Sequence, residues 1–240
     1  MKEKKILLFL APILCLILLI LSFVTFINKG NDSLKFKQEY ESLNGKTSFL
    51  NNKYSKLNIS VNNPIKYSNY DEIINLIKSG TGIIYLGFPE CPWCRSALPV
   101  LLDVSKNNNV ETIYYLNIKN ERDSYIVEDD KVIYAIDDDG KEIKGTNGYF
   151  ELLKVLDEYL SEYVIELDGK LYEVGEKRLY APSVIFVKNG YVTHIQVSTV
   201  ETHIDPYKTL TSEQYSELYS IYENEILNIY NNTCSNGTSC

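Results

Sequence analysis

One junction narrows the fold of this chain more than any other feature. The short apolar run Gly82-Ile83-Ile84-Tyr85-Leu86-Gly87-Phe88 is followed, after Pro89 and Glu90, by Cys91-Pro92-Trp93-Cys94, where a helical pattern begins. The run is β-rich and bounded by Gly80 and Pro89, as a central strand should be. From Arg95 to Ser105, the residues Leu98, Leu101, Leu102 and Ser105 recur at helical spacing, and Pro99 is expected to kink that helix about one turn past the second cysteine. Cys91 thus falls at a helix N-terminus, where unpaired backbone N–H groups stabilise a thiolate, and it is expected to be the attacking sulfur. Cys94, one turn further on and facing the same side, is placed to resolve a mixed disulfide.

The elements around the junction alternate. Leu57, Ile59 and Val61 read as a strand that Asn62-Asn63-Pro64 breaks, and Tyr70 to Ile77 reads as a short helix capped at Ser68 or Asn69. After the motif, Val110 to Ile118 is a further apolar run, so strands and helices alternate as they do in parallel sheets with helical crossovers. Residues 119–180 depart from this plan and read as an insertion. It holds a strand at Val132 to Ile136, a turn at Asp137-Asp138-Asp139-Gly140, and a helix from Tyr149 to Tyr163 with Leu152, Leu153, Leu156 and Leu160 on one face. The triple aspartate lacks the alternating ligands and distant Glu of a calcium loop and reads as a solvated turn. Pro182 then opens a β-rich run to Val187, Asn189-Gly190 makes a two-residue hairpin turn into Tyr191 to Val197, and an amphipathic helix capped at Thr211 or Ser212 closes the chain.

Lys2, Lys4 and Lys5 precede Ile6 to Ile27, a stretch of 22 residues without a charge and long enough to cross a bilayer. It exceeds a typical signal-peptide core, and Thr25-Phe26-Ile27-Asn28 lacks an Ala-x-Ala-like cleavage site, so residues 1–28 are expected to be an uncleaved transmembrane anchor. Positive residues on its short side place the N-terminus in the cytoplasm and the rest of the chain on the extracytoplasmic side. Leu14 before Cys15 is not the small residue that lipoprotein processing needs, so Cys15 reads as an apolar side chain within the span. Residues 29–56 read as a polar stalk or docking segment with Phe36, Tyr40 and Leu43 at helical spacing. The 24 basic and 32 acidic residues give a net charge of −8 with no basic stripe, which argues against nucleic acid. No glycine-rich dinucleotide or phosphate loop is present, so no cofactor is expected beyond a redox-active disulfide, and electrons must pass to or from another protein.

The remaining cysteines bear on a rival reading of the motif. A zinc site would need Cys234 and Cys240 as further ligands, and their spacing is unlike that of zinc knuckles. Outside the membrane those two, on the tail at 231–240, are expected to pair, either as a short structural clip or as a second dithiol exchanging electrons with Cys91. Trp93 reads either as a packed aromatic or as a substrate contact at the rim. His194 and His203, distant from the motif in sequence, are expected at surface or edge positions.

Together the strand, the Cys91–Cys94 motif at a helix start, the insertion, the proline before a hairpin and the closing helix resemble the thioredoxin superfamily, over roughly residues 57–230. The resemblance implies an α/β thioredoxin-like fold with a helix-containing insertion before the strand that follows a cis proline, preceded here by one transmembrane helix. It assigns that proline to Pro182 and gives Ala181 the backbone that pairs with a bound peptide. Gly87-Phe88-Pro89-Glu90-Cys91-Pro92-Trp93-Cys94-Arg95 and the late cysteines look like membrane-anchored thioredoxin-like proteins of Gram-positive bacteria, some of them labelled bacteriocin transport accessory proteins. The implied activity is thiol–disulfide exchange on protein or peptide substrates with a membrane redox partner; the alternative is a redox-inert docking factor for peptide export. The family's buried aspartate six residues before the first cysteine is Tyr85 here, so Glu90 or another side chain must substitute, or deprotonation of Cys94 is slower. The dipeptide between the cysteines also differs from the thioredoxin Gly-Pro, which leaves the direction of reaction open.

Overall fold

The computed structural model describes residues 31–48 and 51–230. The expected anchor at 1–28, Cys15, and the tail carrying Cys234 and Cys240 lie outside these residues. Among the described residues no helix is long and apolar enough to cross a membrane.

The chain forms a mixed α/β structure. Strands β1 (Ile65–Tyr67), β2 (Gly82–Gly87), β3 (Ile113–Asn117), β8 (Ser183–Lys188) and β9 (Tyr191–Val197) make one five-stranded sheet in the order β1-β3-β2-β8-β9. β3 runs parallel to both β1 and β2, while β8 is antiparallel to β2 and β9 to β8. Helices cover both faces. Ile83 and Tyr85 of β2, with Val184 and Phe186 of β8, face a layer built from the helix at 31–41 (α1), α3 (Pro92–Asn107) and α5 (Ser212–Tyr230). Ile84, Leu86, Ile185 and Val187 face α2 (Tyr70–Ser79) and α4 (Asn147–Val155). A strand covered on both faces has no reason to alternate, which explains the unbroken apolar run before the motif.

Local chemistry sets the ends of these elements. Asn69 caps α2 by accepting the Glu72 N–H. The β8–β9 turn needs left-handed backbone at Asn189 (φ 51°) and Gly190 (φ 82°), as a type I′ hairpin does. A side chain at Gly190 would also strike the Lys78 carbonyl, 2.5 Å from where its Cβ would sit. At the far end of α5, Tyr230 lies with Thr81, Asn109 and Tyr114 around one depression, beside the start of β2.

Three expectations need correction. The expected stalk is part of the core: Phe36 and Tyr40 of α1 are fully buried against Tyr85 and Tyr115. Leu57 and Ile59 are buried as expected, but their segment is not a strand. Its backbone is held by side chains instead, since Asn44 both donates to and accepts from Leu57, and Glu41 accepts the Ile59 N–H. The strand of this region is β1, eight residues after Leu57. In the insertion the helix ends at Val155 rather than Tyr163, and two hairpins form, β4 (Tyr125–Glu128) with β5 (Lys131–Tyr134) and β6 (Glu162–Leu167) with β7 (Lys170–Lys177).

Candidate active site

Cys91 is the N-cap of α3, and Pro92 takes the first helical position, where its missing N–H costs nothing. The cap geometry turns the thiol back onto the helix start. Its Sγ accepts the Cys94 N–H at 3.1 Å and donates to the Ala181 carbonyl at 3.2 Å. The Ala181–Pro182 peptide is cis. Both cysteines are free thiols; Cys91 is 4 % exposed and Cys94 fully buried. The structure therefore brings Cys91, Cys94, Ala181 and the neighbouring Pro182 to one place, at the C-terminal end of β2. Trp93 is half-buried against the same core.

Trp93 meets His203 edge to face, with ring centroids 5.3 Å apart. His203 is buried, not superficial as expected, whereas His194 lies part-buried on the edge strand β9. Nε2 of His203 lies 3.0 Å from the Lys208 carbonyl, which can only accept, so Nε2 carries the hydrogen and Nδ1 accepts from the Thr199 hydroxyl at 2.9 Å. The loop after β9 is thus folded against the motif helix, where Ser96 also donates to the Pro206 carbonyl. No spacing in the sequence signals this contact, because it depends on how a loop more than a hundred residues away returns.

Burial pushes the Cys94 thiol well above its ordinary range, and the adjacent Cys91 sulfur adds to the shift. The Tyr85 hydroxyl acts the other way. Tyr85 and Gly87 are two apart on β2 and face the same side, so the Tyr85 ring lies over Gly87: a Cβ there would sit 2.8 Å from the Tyr85 Oη and 3.1 Å from the Cys94 Sγ. The Tyr85 hydroxyl is in turn 3.0 Å from that of Tyr40 on α1. Glu90 does not substitute for the absent aspartate, since it pairs with Lys119 at 2.7 Å on a half-exposed surface.

Arg95, directly after the second cysteine, is 1 % exposed and makes five hydrogen bonds, all to neutral acceptors: the carbonyls of Tyr40, Ser55 and Pro89, and the Asn44 side chain. Among the described residues it has no carboxylate partner, and burial pulls its pKa down from the usual arginine value. Arg122 lies over the Phe88 ring, 5.3 Å from its centroid. Arg95 and Arg122 both lie within electrostatic reach of the Cys94 sulfur, yet burial outweighs them and that thiol stays pushed up.

Comparison of the chain with protein-family models, with curated proteins and with solved structures returns no match. The chemistry of the site is accordingly argued from its own atoms. Two sulfurs one helical turn apart, the outer at a helix N-terminus and the inner buried, suit successive attack and resolution. A groove of about 990 Å³ along the flank of α3, between Leu57 and Asn109, includes neither sulfur. Among the described residues no group of three His, Cys, Asp or Glu side chains is arranged to hold a metal ion.

Proposed function

We propose that this chain is an extracytoplasmic, membrane-anchored thiol–disulfide oxidoreductase of thioredoxin-like fold. Cys91 attacks one sulfur of a protein or peptide disulfide; that S–S bond breaks, and the released sulfur takes up a proton. Cys94 then attacks the Cys91 Sγ, the bond between Cys91 and substrate breaks, and the second substrate sulfur leaves as a thiol. Two electrons have passed from the dithiol to the substrate, and the reverse sequence oxidises a substrate dithiol. Electrons are exchanged with a partner at the membrane, because the chain carries no motif for a diffusible redox cofactor.

The observation that carries this reading is the placement of Cys91 Sγ, held between the Cys94 N–H and the Ala181 carbonyl at the N-terminus of α3. A structural disulfide would have no use for a helix-capping sulfur beside a buried second thiol. The order of elements, with Pro182 before β8 and α5 closing the chain, supports the thioredoxin-like assignment.

The test is Cys94→Ala in a chain with Cys15, Cys234 and Cys240 replaced by Ser. The expected outcome is accumulation of mixed disulfides on Cys91, and in the chain retaining Cys94 a reversible two-electron couple. A chain with no such couple, or a Cys94→Ala variant that keeps full biological activity and traps nothing, would leave the docking role in peptide export as the better reading.

A further inference from the structure

Closing the Cys91–Cys94 disulfide requires Cys94 to lose its proton inside the core. The titratable and charged groups facing it are Cys91 and Arg95 from α3, Tyr85 from β2, Tyr40 from α1, Tyr115 from β3, Tyr222 from α5 and Arg122 from the segment after β3. β8 presents Val184 and Phe186 to this layer, and Lys188 at its far end donates to the Asn228 carbonyl of α5. None of these groups is a carboxylate, so no side chain here takes the proton as an ordinary base. Help for the resolving sulfur must come from a donor that steadies the anion.

Tyr85 is the hydroxyl against the sulfur, since both atoms crowd the same point above Gly87. It is also held in place by a neighbouring phenol. Tyr40 and Tyr85 share a single hydrogen bond in which either oxygen can donate; with Tyr40 as the donor, Tyr85 keeps its own O–H for a second partner. In that arrangement the O–H of Tyr85 is left for the sulfur.

We propose that Tyr85 is a catalytic residue of the resolving step, donating its hydroxyl to Cys94 as that sulfur becomes an anion, and that Tyr40 of α1 is the positioning residue that holds it there. The inference rests on the thiol–disulfide exchange proposed above. Tyr85 keeps its proton throughout: burial pushes its hydroxyl well above the usual tyrosine range, so it serves only as a donor. The Cys94 proton leaves to solvent, the Cys94 electron pair attacks Cys91 Sγ, and the pair of the breaking bond departs with the substrate sulfur.

The experiment uses the full chain with Cys15, Cys234 and Cys240 replaced by Ser, and bis(thionitrobenzoate) disulfide as probe. Attack by Cys91 releases one thionitrobenzoate, and resolution by Cys94 releases a second as thiolate. Tyr85→Phe is expected to leave the first release unchanged and slow the second about tenfold near neutral pH, the size of one hydrogen bond to an anion. The rise of the second rate with pH should move about one unit to the alkaline side. Tyr40→Phe should shift the profile in the same direction by less. An unchanged second release in Tyr85→Phe, or equal slowing of both releases at every pH, overturns the inference while leaving the exchange reading intact. A parent chain that never gives the second release overturns the exchange reading itself.

Discussion

At the residue scale, Gly87 leaves no room for a side chain although its backbone is ordinary strand. Its cost is steric alone: a methyl group would press on the Tyr85 ring and the Cys94 sulfur at once. Gly87→Ala is expected to destabilise the fold by about 1–3 kcal/mol, the range for forcing extra atoms into a filled core, measured by urea unfolding. An unchanged midpoint would mean that Tyr85 moves aside freely, which would also weaken its assigned role. The sequence makes Cys91, Cys94 and Pro182 legible because their chemistry is local and their spacing to strand and helix is fixed. Tyr40, Arg122 and His203 are not legible in that way, since each reaches the site from a position whose own neighbours say nothing about sulfur. The one usable signal was Arg95, a cation on the inner side of a helix otherwise lined with Leu and Val.

At the element scale, the strands and helices with clean periodicity were readable: α2, β2, α3, β3, β8, β9 and α5 all fall close to their expected ranges. Failures occurred where backbone partners came from elsewhere. Leu57 and Ile59 alternate like a strand, but side chains of Glu41 and Asn44 meet their polar groups. Leu152 and Leu156 continue a helical stripe that Leu160 does not extend, since α4 ends at Val155 and a 3-10 turn at Asp157–Tyr159 leads the chain toward β6. An Asp168-Gly169 pair, left-handed at both residues, was the overlooked hairpin signal there. For α1 the misreading has a measurable consequence. A stalk would tolerate truncation of an apolar side chain, whereas Phe36→Ala should cost about 3–5 kcal/mol because the ring is wholly enclosed among tyrosines. A loss below about 1 kcal/mol in denaturant titration would return α1 to the periphery.

At the scale of the whole molecule, the layer holding the dithiol is rich in buried phenols. Burial raises the hydroxyls of Tyr40, Tyr85, Tyr115 and Tyr222 above the ordinary tyrosine value. Below about pH 10 both folded and unfolded chains keep these protons, and the stability tied to them is intact. Above it the unfolded chain releases protons that the folded chain retains, so stability falls as pH rises toward the folded-state values, by about 1.4 kcal/mol per pH unit for each group. Unfolding midpoints should therefore drop steeply between about pH 10 and 11; a flat profile there would mean that these phenols already ionise in the native state. The end of α5 sets a different limit. Tyr230 lies beside the start of β2, while Cys91 follows its far end. A six-residue strand separates them by about 20 Å. Four chain links from Tyr230 to Cys234 span at most about 14 Å, whereas ten to Cys240 span about 35 Å. If the proposed exchange between tail and motif takes place within one molecule, Cys240, on the longer tether, is the better placed of the two tail cysteines to reach Cys91.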